Sequence, residues 1–261
     1  MANLQPHIKC EKGDVAPSVL LPGDPDRIPL ITKYWDRAKQ VADNRGLPVW
    51  TGIYKGIPVS AAATGMGCPS AAIVVEELAN VGAKVFIRVG TCGALKKGIN
   101  SGDLIIPIAA MRFDGTTKEY IAPEFPAVAD PSVVLALEKT AKVKKYKYWK
   151  GINRTHDAFY EHIDNMLALG DIFGDTRMAK WPYPLISSEM ECSAIFLISL
   201  LRGLKAGAVL TVVTEEPLDQ IRKTPNLLYQ INEAPDAKSG IDRSIKVALD
   251  TILFIDRQEK L

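Results

Sequence analysis

Short apolar runs recur along the chain, and helix-like segments lie between them. The runs at 18–21, 85–87, 103–111 and 206–213 have the length and the β-branched content of buried strands. Apolar residues at helical spacing separate these runs and close the chain at 240–255. This alternation predicts an α/β protein, a three-layer α/β/α sandwich with a central mixed, mostly parallel sheet.

Composition narrows the class of protein. The 261 residues suffice for a single domain over 1–261 with a sizeable core. A net charge of +2 gives no reason to expect nucleic acid or an anionic membrane as partner, and no stretch reads as a signal peptide or a membrane span. The cysteines lie far apart without metal-ligand or disulfide spacing, which predicts reduced thiols in a cytoplasmic protein.

The run at 85–87 continues directly into Arg88, Gly90, Thr91 and Gly93. A guanidinium cannot lose its charge, so an arginine in an apolar context needs a partner. An arginine and a hydroxyl at the carboxyl end of a central strand, beside glycines that allow close approach, are typical of an anion site. An arginine paired with a structural carboxylate fits the same pattern, so this stretch alone does not decide between the two.

A second glycine turn lies at 22–27, where Gly23 precedes Asp24 and Arg27. We expect Asp24 to cap a helix that runs to about residue 35, with Arg27 in its first turn. That arrangement suits a bound anion, although a solvated surface arginine explains it equally simply. The turn at 64–70 matches nucleotide-binding loops only in part and indicates close backbone packing.

Two carboxylates, Glu189 and Glu191, flank Met190 and precede the apolar segment 194–201. We expect them to open a helix that ends near Gly203. Carboxylates at a buried helix start need partners, which are either backbone N–H groups or the hydroxyls of a ligand. The helix N-terminus explains one of them, whereas the two together favour a ligand.

Four separated stretches resemble the signature motifs of the nucleoside phosphorylase-I family, and they are most similar to those of its uridine phosphorylase members. In the family's order they are Pro-Gly-Asp-Pro-Asp-Arg at 22–27, Thr-Gly-Met-Gly at 64–67, Phe-Ile-Arg-Val-Gly-Thr-Cys-Gly at 86–93 and Glu-Met-Glu at 189–191. The stretch 112–130 resembles the uridine members in particular. The resemblance covers nearly the whole chain.

The resemblance implies reversible cleavage of an N-glycosidic bond by inorganic phosphate, giving a free base and ribose 1-phosphate, with no metal or organic cofactor. A phosphate dianion beside the anomeric carbon requires several arginines. The held phosphate is expected to stabilise an oxocarbenium-like transition state and then attack it. Arg88 is the implied catalytic arginine. The implied phosphate ligands are Gly23, Arg27, Arg88, Thr91 and, from a neighbouring subunit, Arg45.

The resemblance also implies the contacts of the nucleoside. Glu191 would accept hydrogen bonds from the ribose 2′- and 3′-hydroxyls, Met190 would pack on the sugar, and His7 of a neighbouring subunit would meet the 5′-hydroxyl. Since the sites are then shared, the protein is expected to be a homo-oligomer, either a dimer or a trimer of dimers. The implied base-binding residues are Phe159, Asn165 and Glu189.

The base-reading positions depart from the family pattern. Uridine members read uracil with a Gln-x-Arg pair shortly after Phe-Tyr, where this chain has Ile163 and Asn165. Of these, only Asn165 keeps a hydrogen-bonding group. Purine members place an aspartate after the strand that ends near residue 213, where it acts on N7 of the base, and this chain has Glu215 there. We expect uridine as substrate, with a purine nucleoside or methylthioadenosine phosphorylase as the alternative, in which Glu215 is the catalytic acid.

Two other classes of function fit the same residues. A nucleoside-binding protein without catalysis would share the fold, but it would have less reason to keep the full set of arginines. A nucleosidase, which uses water in place of phosphate, has no need for the phosphate arginines either. The segment 166–184 is broken by glycine and proline and is expected to form a flap over the site.

Overall fold

The computed structural model describes residues 4–159, 184–214, 230–231 and 233–258. Strands and helices alternate along these residues. The strands are β1 (Ser18–Leu21), β2 (Arg37–Ala42), β3 (Val49–Tyr54), β4 (Ile57–Ala62), β5 (Val85–Ala94), β6 (Leu104–Phe113), β7 (Ala127–Val128), β8 (Tyr148–His156), β9 (Leu185–Glu189) and β10 (Lys205–Thr214). The helices are α1 (Arg27–Thr32), α2 (Cys68–Asn80), α3 (Thr116–Tyr120), α4 (Pro131–Val143), α5 (Cys192–Leu201) and α6 (Pro235–Gln258).

The strands form one mixed sheet in the order β10-β6-β8-β9-β5-β1-β4-β3-β2, with β7 beside β6. Strand β10 also pairs with β5, so β5, β10, β6, β8 and β9 make a closed ring from which β1, β4, β3 and β2 extend as an open arm. The prediction of a mixed sheet is confirmed. The prediction that it is mostly parallel is wrong, because five pairings between described strands are parallel and five are antiparallel.

The helices pack in two groups, and the buried apolar side chains form one contiguous cluster. Helix α5 contacts α2, α3 and the strands of the ring, whereas α6 contacts α1, α4 and the strands β5, β6 and β10. All residues of α5 from Cys192 to Ser199 are buried, which matches its almost entirely apolar sequence. None of the helices in the described residues has the length and apolar character needed to cross a membrane.

Several predicted boundaries shift in ways that matter for the site. Strand β5 extends well beyond the predicted run at 85–87, through Ala94, because β10 pairs with it from Val85 to Gly93 and β9 pairs with Gly93 and Ala94. Strand β8 runs on to His156, where the sequence pattern predicts a loop. Strand β9 precedes α5, so Glu189 ends a strand instead of opening a helix. Because residues 187–189, Ser-Ser-Glu, are all polar, apolar periodicity does not predict this strand.

Two local predictions fail for identifiable reasons. Helix α1 begins at Arg27, and Asp24 does not cap it, because Oδ1 of Asp24 accepts the N–H of Asp26 at 2.9 Å and closes a turn before the helix. The strand-like run at 57–63 contains Pro58, which predicts an edge position, but β4 lies between β1 and β3. Strand β1 pairs only with Ser60 and Ala61 of β4, so it does not reach the proline.

Candidate active site

Arg88 is the centre of the candidate site. It lies on β5, only 3% exposed, and forms ion pairs with the carboxylates of both Glu189 and Glu191. Its Nε lies 2.9 Å from Oε2 of Glu189, although the angle does not make this a well-aligned hydrogen bond. Burial acts to lower the pKa of Arg88, but the two carboxylates outweigh it and raise that pKa. Arg88 is therefore both paired with structural carboxylates and placed at the site.

One end of the Arg88 guanidinium is left for another partner. Its Nη1 is buried and has no hydrogen-bond partner among the described residues. This nitrogen faces Gly23, where an added Cβ would lie 3.7 Å from it. At Gly90 an added Cβ would lie 2.8 Å from Cζ of Arg88. Only a glycine at position 90 therefore leaves room for the Arg88 guanidinium. A buried cationic donor without a partner is costly and indicates a place for an anion.

Glu189 is fully engaged inside the protein. Its Oε2 accepts the N–H groups of Glu191 and Cys192 at 2.8 and 2.9 Å, which satisfies two donors at the start of α5. Its Oε1 accepts from Nδ2 of Asn153 at 2.7 Å and from Oγ1 of Thr155 at 2.6 Å. Sequence patterns did not single out Asn153 and Thr155, which tie β8 to this carboxylate. A base contact for Glu189 stays a prediction, and its contacts here are structural.

Glu191 occupies the N-cap position of α5. Its Oε1 accepts the backbone N–H of Gly67 at 2.6 Å, and its Oε2 pairs with Nη2 of Arg88. Burial raises the pKa of Glu191, Arg88 opposes that shift, and the neighbouring Glu189 adds to it. Each carboxylate oxygen has a second lone pair, so Glu191 keeps acceptor capacity for ligand hydroxyls. The sequence predicts close packing for the turn with Gly67 and places it among the signature motifs, and the structure adds this contact with Glu191.

Arg27 joins this group from the turn after β1. Its Nη1 donates to the carbonyl oxygen of Val89 on β5 at 3.3 Å, which brings it beside the strand that carries Arg88. Burial lowers the pKa of Arg27, Asp24 opposes that shift, and the nearby Arg88 charge adds to it. The two arginines and the two carboxylates cancel in formal charge. A dianion bound here would therefore need a further cation.

Three other predicted residues lie on neighbouring elements. Thr91 is half-buried on β5, paired with Thr211, and strand alternation puts it on the opposite face from Arg88. Met190 is half-buried between β9 and α5, and its carbonyl oxygen lies 3.3 Å from Sγ of Cys68. Phe159 is half-buried just beyond β8. Their roles as ligand contacts stay predictions.

His7 and Arg45 form a second group, near the start of the chain. Asn44 donates from Nδ2 to the carbonyl oxygen of His7 at 2.6 Å, so the two predicted residues share one surface. Nδ1 of His7 lies 2.6 Å from Oε1 of Glu77, and the ring is partly exposed. A neutral His7 that donates from Nδ1 to this carboxylate keeps Nε2 as an acceptor. Arg45 is exposed and has a positive φ of 58°.

Asn165 and Glu215, together with most of the predicted flap, lie outside the described residues. Among the described residues, no cluster of histidine, cysteine or acidic side chains has the composition of a metal site. The residues on β5, β9 and the turn after β1 bring two arginines and two carboxylates together, an arrangement that can hold an anion beside hydrogen-bond acceptors. Such a site lies at the carboxyl ends of parallel strands, where α/β proteins bind their ligands.

Comparison with known proteins identifies the family. A family model described as the phosphorylase superfamily matches residues 17–242. The chain is 42% identical over 227 residues to a uridine phosphorylase of Thermococcus kodakarensis. This alignment covers 84% of this chain and 80% of the relative. It is 34% identical over 249 residues to a guanosine phosphorylase of Halorubrum lacusprofundi, with 95% and 98% covered. The crystal structure of uridine phosphorylase from Vibrio fischeri superposes with a TM-score of 0.79 at 32% identity, over 96% of this chain and 97% of that one. The chain belongs to the phosphorylase superfamily.

Proposed function

We propose that this protein is a nucleoside phosphorylase, a pentosyltransferase that cleaves the N-glycosidic bond of a nucleoside with inorganic phosphate. The proposed products are the free base and ribose 1-phosphate, and uridine is the favoured nucleoside. The observation that carries the proposal is the buried Arg88, whose Nε and Nη2 pair with Glu189 and Glu191. Its Nη1 faces Gly23 and has no hydrogen-bond partner within the described part of the chain.

In this proposal the phosphate lies against Nη1 of Arg88, with Gly23 and Arg27 around it. The contact of Thr91, which lies on the other face of β5, stays a prediction from the resemblance. The carboxylates hold the guanidinium in one orientation, so its free donor is preorganised and needs no rearrangement when the anion binds. The phosphate then stabilises the positive charge that develops on the ribose and attacks the anomeric carbon. Positioning and electrostatics supply the catalysis.

Glu191 is the proposed acceptor for the ribose 2′- and 3′-hydroxyls, with Met190 against the sugar. Its fixed contacts with Gly67 and Arg88 place the carboxylate beside the phosphate site. The same guanidinium would thus bind the nucleophile and orient the sugar-binding carboxylate. Phe159, Asn165 and Glu189 keep their predicted place around the base.

Uridine is proposed over a purine because two of the reported relatives are uridine phosphorylases and cover most of this chain. The guanosine phosphorylase relative and the carboxylate of Glu215 support a purine nucleoside as the second candidate.

We further propose one domain over 1–261, with the two groups of helices on either side of the sheet as the outer layers. The four cysteines are buried with free thiols, which fits the predicted cytoplasmic location.

A direct assay tests the function. The protein is incubated with uridine, thymidine, inosine, guanosine, adenosine or methylthioadenosine, with and without inorganic phosphate, and the free bases are separated by chromatography. We expect cleavage only with phosphate, with uridine preferred in kcat/KM. Cleavage that is independent of phosphate would indicate a nucleosidase. Binding without cleavage would indicate a non-catalytic protein, and a preference for inosine or guanosine would indicate the purine candidate.

The proposed assembly shares each site between two subunits, since His7 and Arg45 lie on one surface and the charges of the Arg88 cluster cancel. Arg45 of a second copy would supply the cation that a phosphate dianion needs. We expect Arg45→Ala and Glu191→Gln to be nearly inactive when each is assayed alone. Mixed under conditions of subunit exchange, they should regain activity, because one site per mixed pair then has both native residues.

Sedimentation during the same exchange shows whether mixed oligomers form. Mixed oligomers without recovered activity would contradict a shared site, and so would a fully active monomer. The matched control is a variant at a different exposed arginine, Arg37 on β2, in place of the Arg45 variant. Arg37→Ala is expected to be active alone.

A further inference from the structure

Strand β8 carries near its end two fully buried polar side chains, Asn153 and Thr155, to which the proposed function gives no role. Nδ2 of Asn153 and Oγ1 of Thr155 both donate to Oε1 of Glu189, at 2.7 and 2.6 Å. The other oxygen of this carboxylate, Oε2, lies 2.9 Å from Nε of Arg88. A single carboxylate therefore separates the two β8 side chains from the guanidinium of the proposed phosphate site.

These two hydrogen bonds decide how the Glu189 carboxylate is turned. The last torsion of a glutamate side chain is broad, so its rotamer does not fix the plane of the carboxylate. Since both β8 donors bind Oε1, Oε2 is directed toward Nε of Arg88 and toward the N–H groups of Glu191 and Cys192. Removal of a donor at Oε1 would let the carboxylate turn and would weaken its contact with Arg88.

A second contact aims the hydroxyl of Thr155 at Glu189. Its oxygen accepts the backbone N–H of Ser193, in the first turn of α5, at 3.1 Å. Ser193 is held in turn, because its Oγ donates to Oδ2 of the fully buried Asp114 at 2.7 Å. A hydroxyl has a single proton, so the bond to Glu189 uses the whole donor capacity of Thr155. The direction of this donor is thus set from α5 and from the residue that follows β6.

Asn153 is oriented in the same way. Ser187 on β9 donates from Oγ to Oδ1 of Asn153 at 2.8 Å, and this bond turns Nδ2 of the amide toward Glu189. A buried polar network whose groups are hydrogen-bonded to one another is rigid and holds one geometry. The network on β8, β9 and α5 is therefore suited to keep the Glu189 carboxylate, and with it Arg88, in one orientation.

We propose that Thr155, supported by Asn153, is a positioning residue for phosphate binding. Thr155 fixes the carboxylate of Glu189, and this carboxylate fixes the guanidinium of Arg88, whose Nη1 faces Gly23 and holds the phosphate in the proposed function. The inference rests on the proposed phosphorylase function and deepens it. Thr155 acts through Glu189 and Arg88 and touches neither phosphate nor nucleoside.

The geometry of a guanidinium explains why this support affects phosphate. The group is planar and rigid, so a rotation that loosens the contact between Nε and Glu189 also moves Nη1. A misplacement of about 1 Å at a reacting group can lower a rate about 10²-fold. Thr155→Val keeps the shape of the side chain and removes the hydroxyl, so Oε1 of Glu189 and the N–H of Ser193 each lose one partner.

The experiment measures kcat and the KM values for phosphate and for uridine in wild type, Thr155→Val and Thr155→Ser. We expect Thr155→Val to raise the KM for phosphate about 10- to 100-fold and to change the KM for uridine much less. Thr155→Ser, which keeps the hydroxyl, should restore most of the affinity for phosphate. An unchanged KM for phosphate in folded Thr155→Val would overturn the inference.

Thr140→Val is the matched control, at a buried threonine of α4. Oγ1 of Thr140 donates to the carbonyl oxygen of Ala136 at 2.8 Å and accepts from Oγ1 of Thr251 on α6 at 3.2 Å. This variant therefore loses one donated and one accepted hydrogen bond, as Thr155→Val does. It should lower thermal stability and leave the KM for phosphate unchanged, which is also the result that a merely structural Thr155 would give.

Coupling to Glu189 tests the route of the effect. In a Glu189→Gln background, Thr155→Val should raise the KM for phosphate much less than it does in wild type, because both substitutions disturb the same contact. Equal effects in the two backgrounds would contradict the inference. Ser187→Ala, which removes the donor that orients Asn153, is the second variant should Thr155→Val fail to fold. It should raise the KM for phosphate to a smaller extent, and an unchanged value would refute the inference.

Calorimetric titration with inorganic phosphate separates this inference from the proposed function. Wild type should bind phosphate, and Thr155→Val should bind it about 10- to 100-fold more weakly. If wild type binds phosphate but cleaves none of the nucleosides, the proposed function fails, yet the affinities of the two proteins still decide the role of Thr155. Wild type with neither phosphate affinity nor phosphate-dependent cleavage would refute both.

Discussion

Arg88→Ala is expected to lower both the free energy of unfolding and the catalytic activity. The substitution leaves the buried Glu189 and Glu191 without their cation, and breaking a buried ion pair of this kind costs about 3–5 kcal/mol. It also removes the Nη1 donor that is proposed to hold the phosphate, so kcat/KM should fall at least about 10²- to 10³-fold, the usual scale for one preorganised donor. Urea unfolding and phosphate-dependent turnover measure the two effects.

The sequence alone suggests that an alanine variant keeps its fold, and the two ion pairs contradict that expectation. Arg88→Lys separates the roles, because an ammonium keeps the charge but cannot present the planar fork that reaches both carboxylates and the phosphate. We expect it to recover more stability than activity. Arg37→Ala on the exposed β2 should change neither quantity. An Arg88→Ala enzyme with the wild-type response to phosphate would exclude Arg88 from the phosphate site.

We expect Glu189→Gln to lower mainly the free energy of unfolding and Glu191→Gln to lower mainly kcat/KM. Glu189 accepts four hydrogen bonds within the chain, and an amide presents its NH₂ group to donors on one side whichever way it turns. Its replacement should cost about 3 kcal/mol of stability. Glu191→Gln keeps an acceptor for the N–H of Gly67 but weakens binding of the ribose hydroxyls, so kcat/KM should fall about 10²-fold.

Two readouts identify Glu191 as the sugar contact. Wild type should prefer uridine to 2′-deoxyuridine, and Glu191→Gln should lose most of that preference. Because burial raises the pKa of Glu191, its carboxylate becomes protonated at a higher pH than an ordinary glutamate does. Wild-type kcat/KM should decline as that protonation occurs. A Glu191→Gln enzyme with native discrimination of the 2′-hydroxyl would contradict the assignment.

The sequence motifs predicted the residues of the proposed anion site, but they did not show which of these residues contact one another. Gly23 and Arg27 lie at the glycine turn after β1, and Arg88 lies on β5 next to a glycine-containing motif, so all three are found directly from the chain. Nothing local indicates that Glu189 and Glu191 approach Arg88, because about 100 residues separate them in the sequence. Their contact depends on the antiparallel pairing of β9 with the end of β5.

The sequence by itself determined the α/β class, the strands β1, β5, β6 and β10 and the residue types of the proposed phosphate site. These follow from apolar periodicity, turn residues and the charge of arginine, which act over a few neighbouring positions. Only the tertiary structure decided that five strands close into a ring, that Glu189 ends a strand, and that Asn153 and Thr155 donate to its carboxylate. The reason is physical: strand register and the face of each side chain are set by long-range backbone pairing, and a shift of one residue would reverse every face.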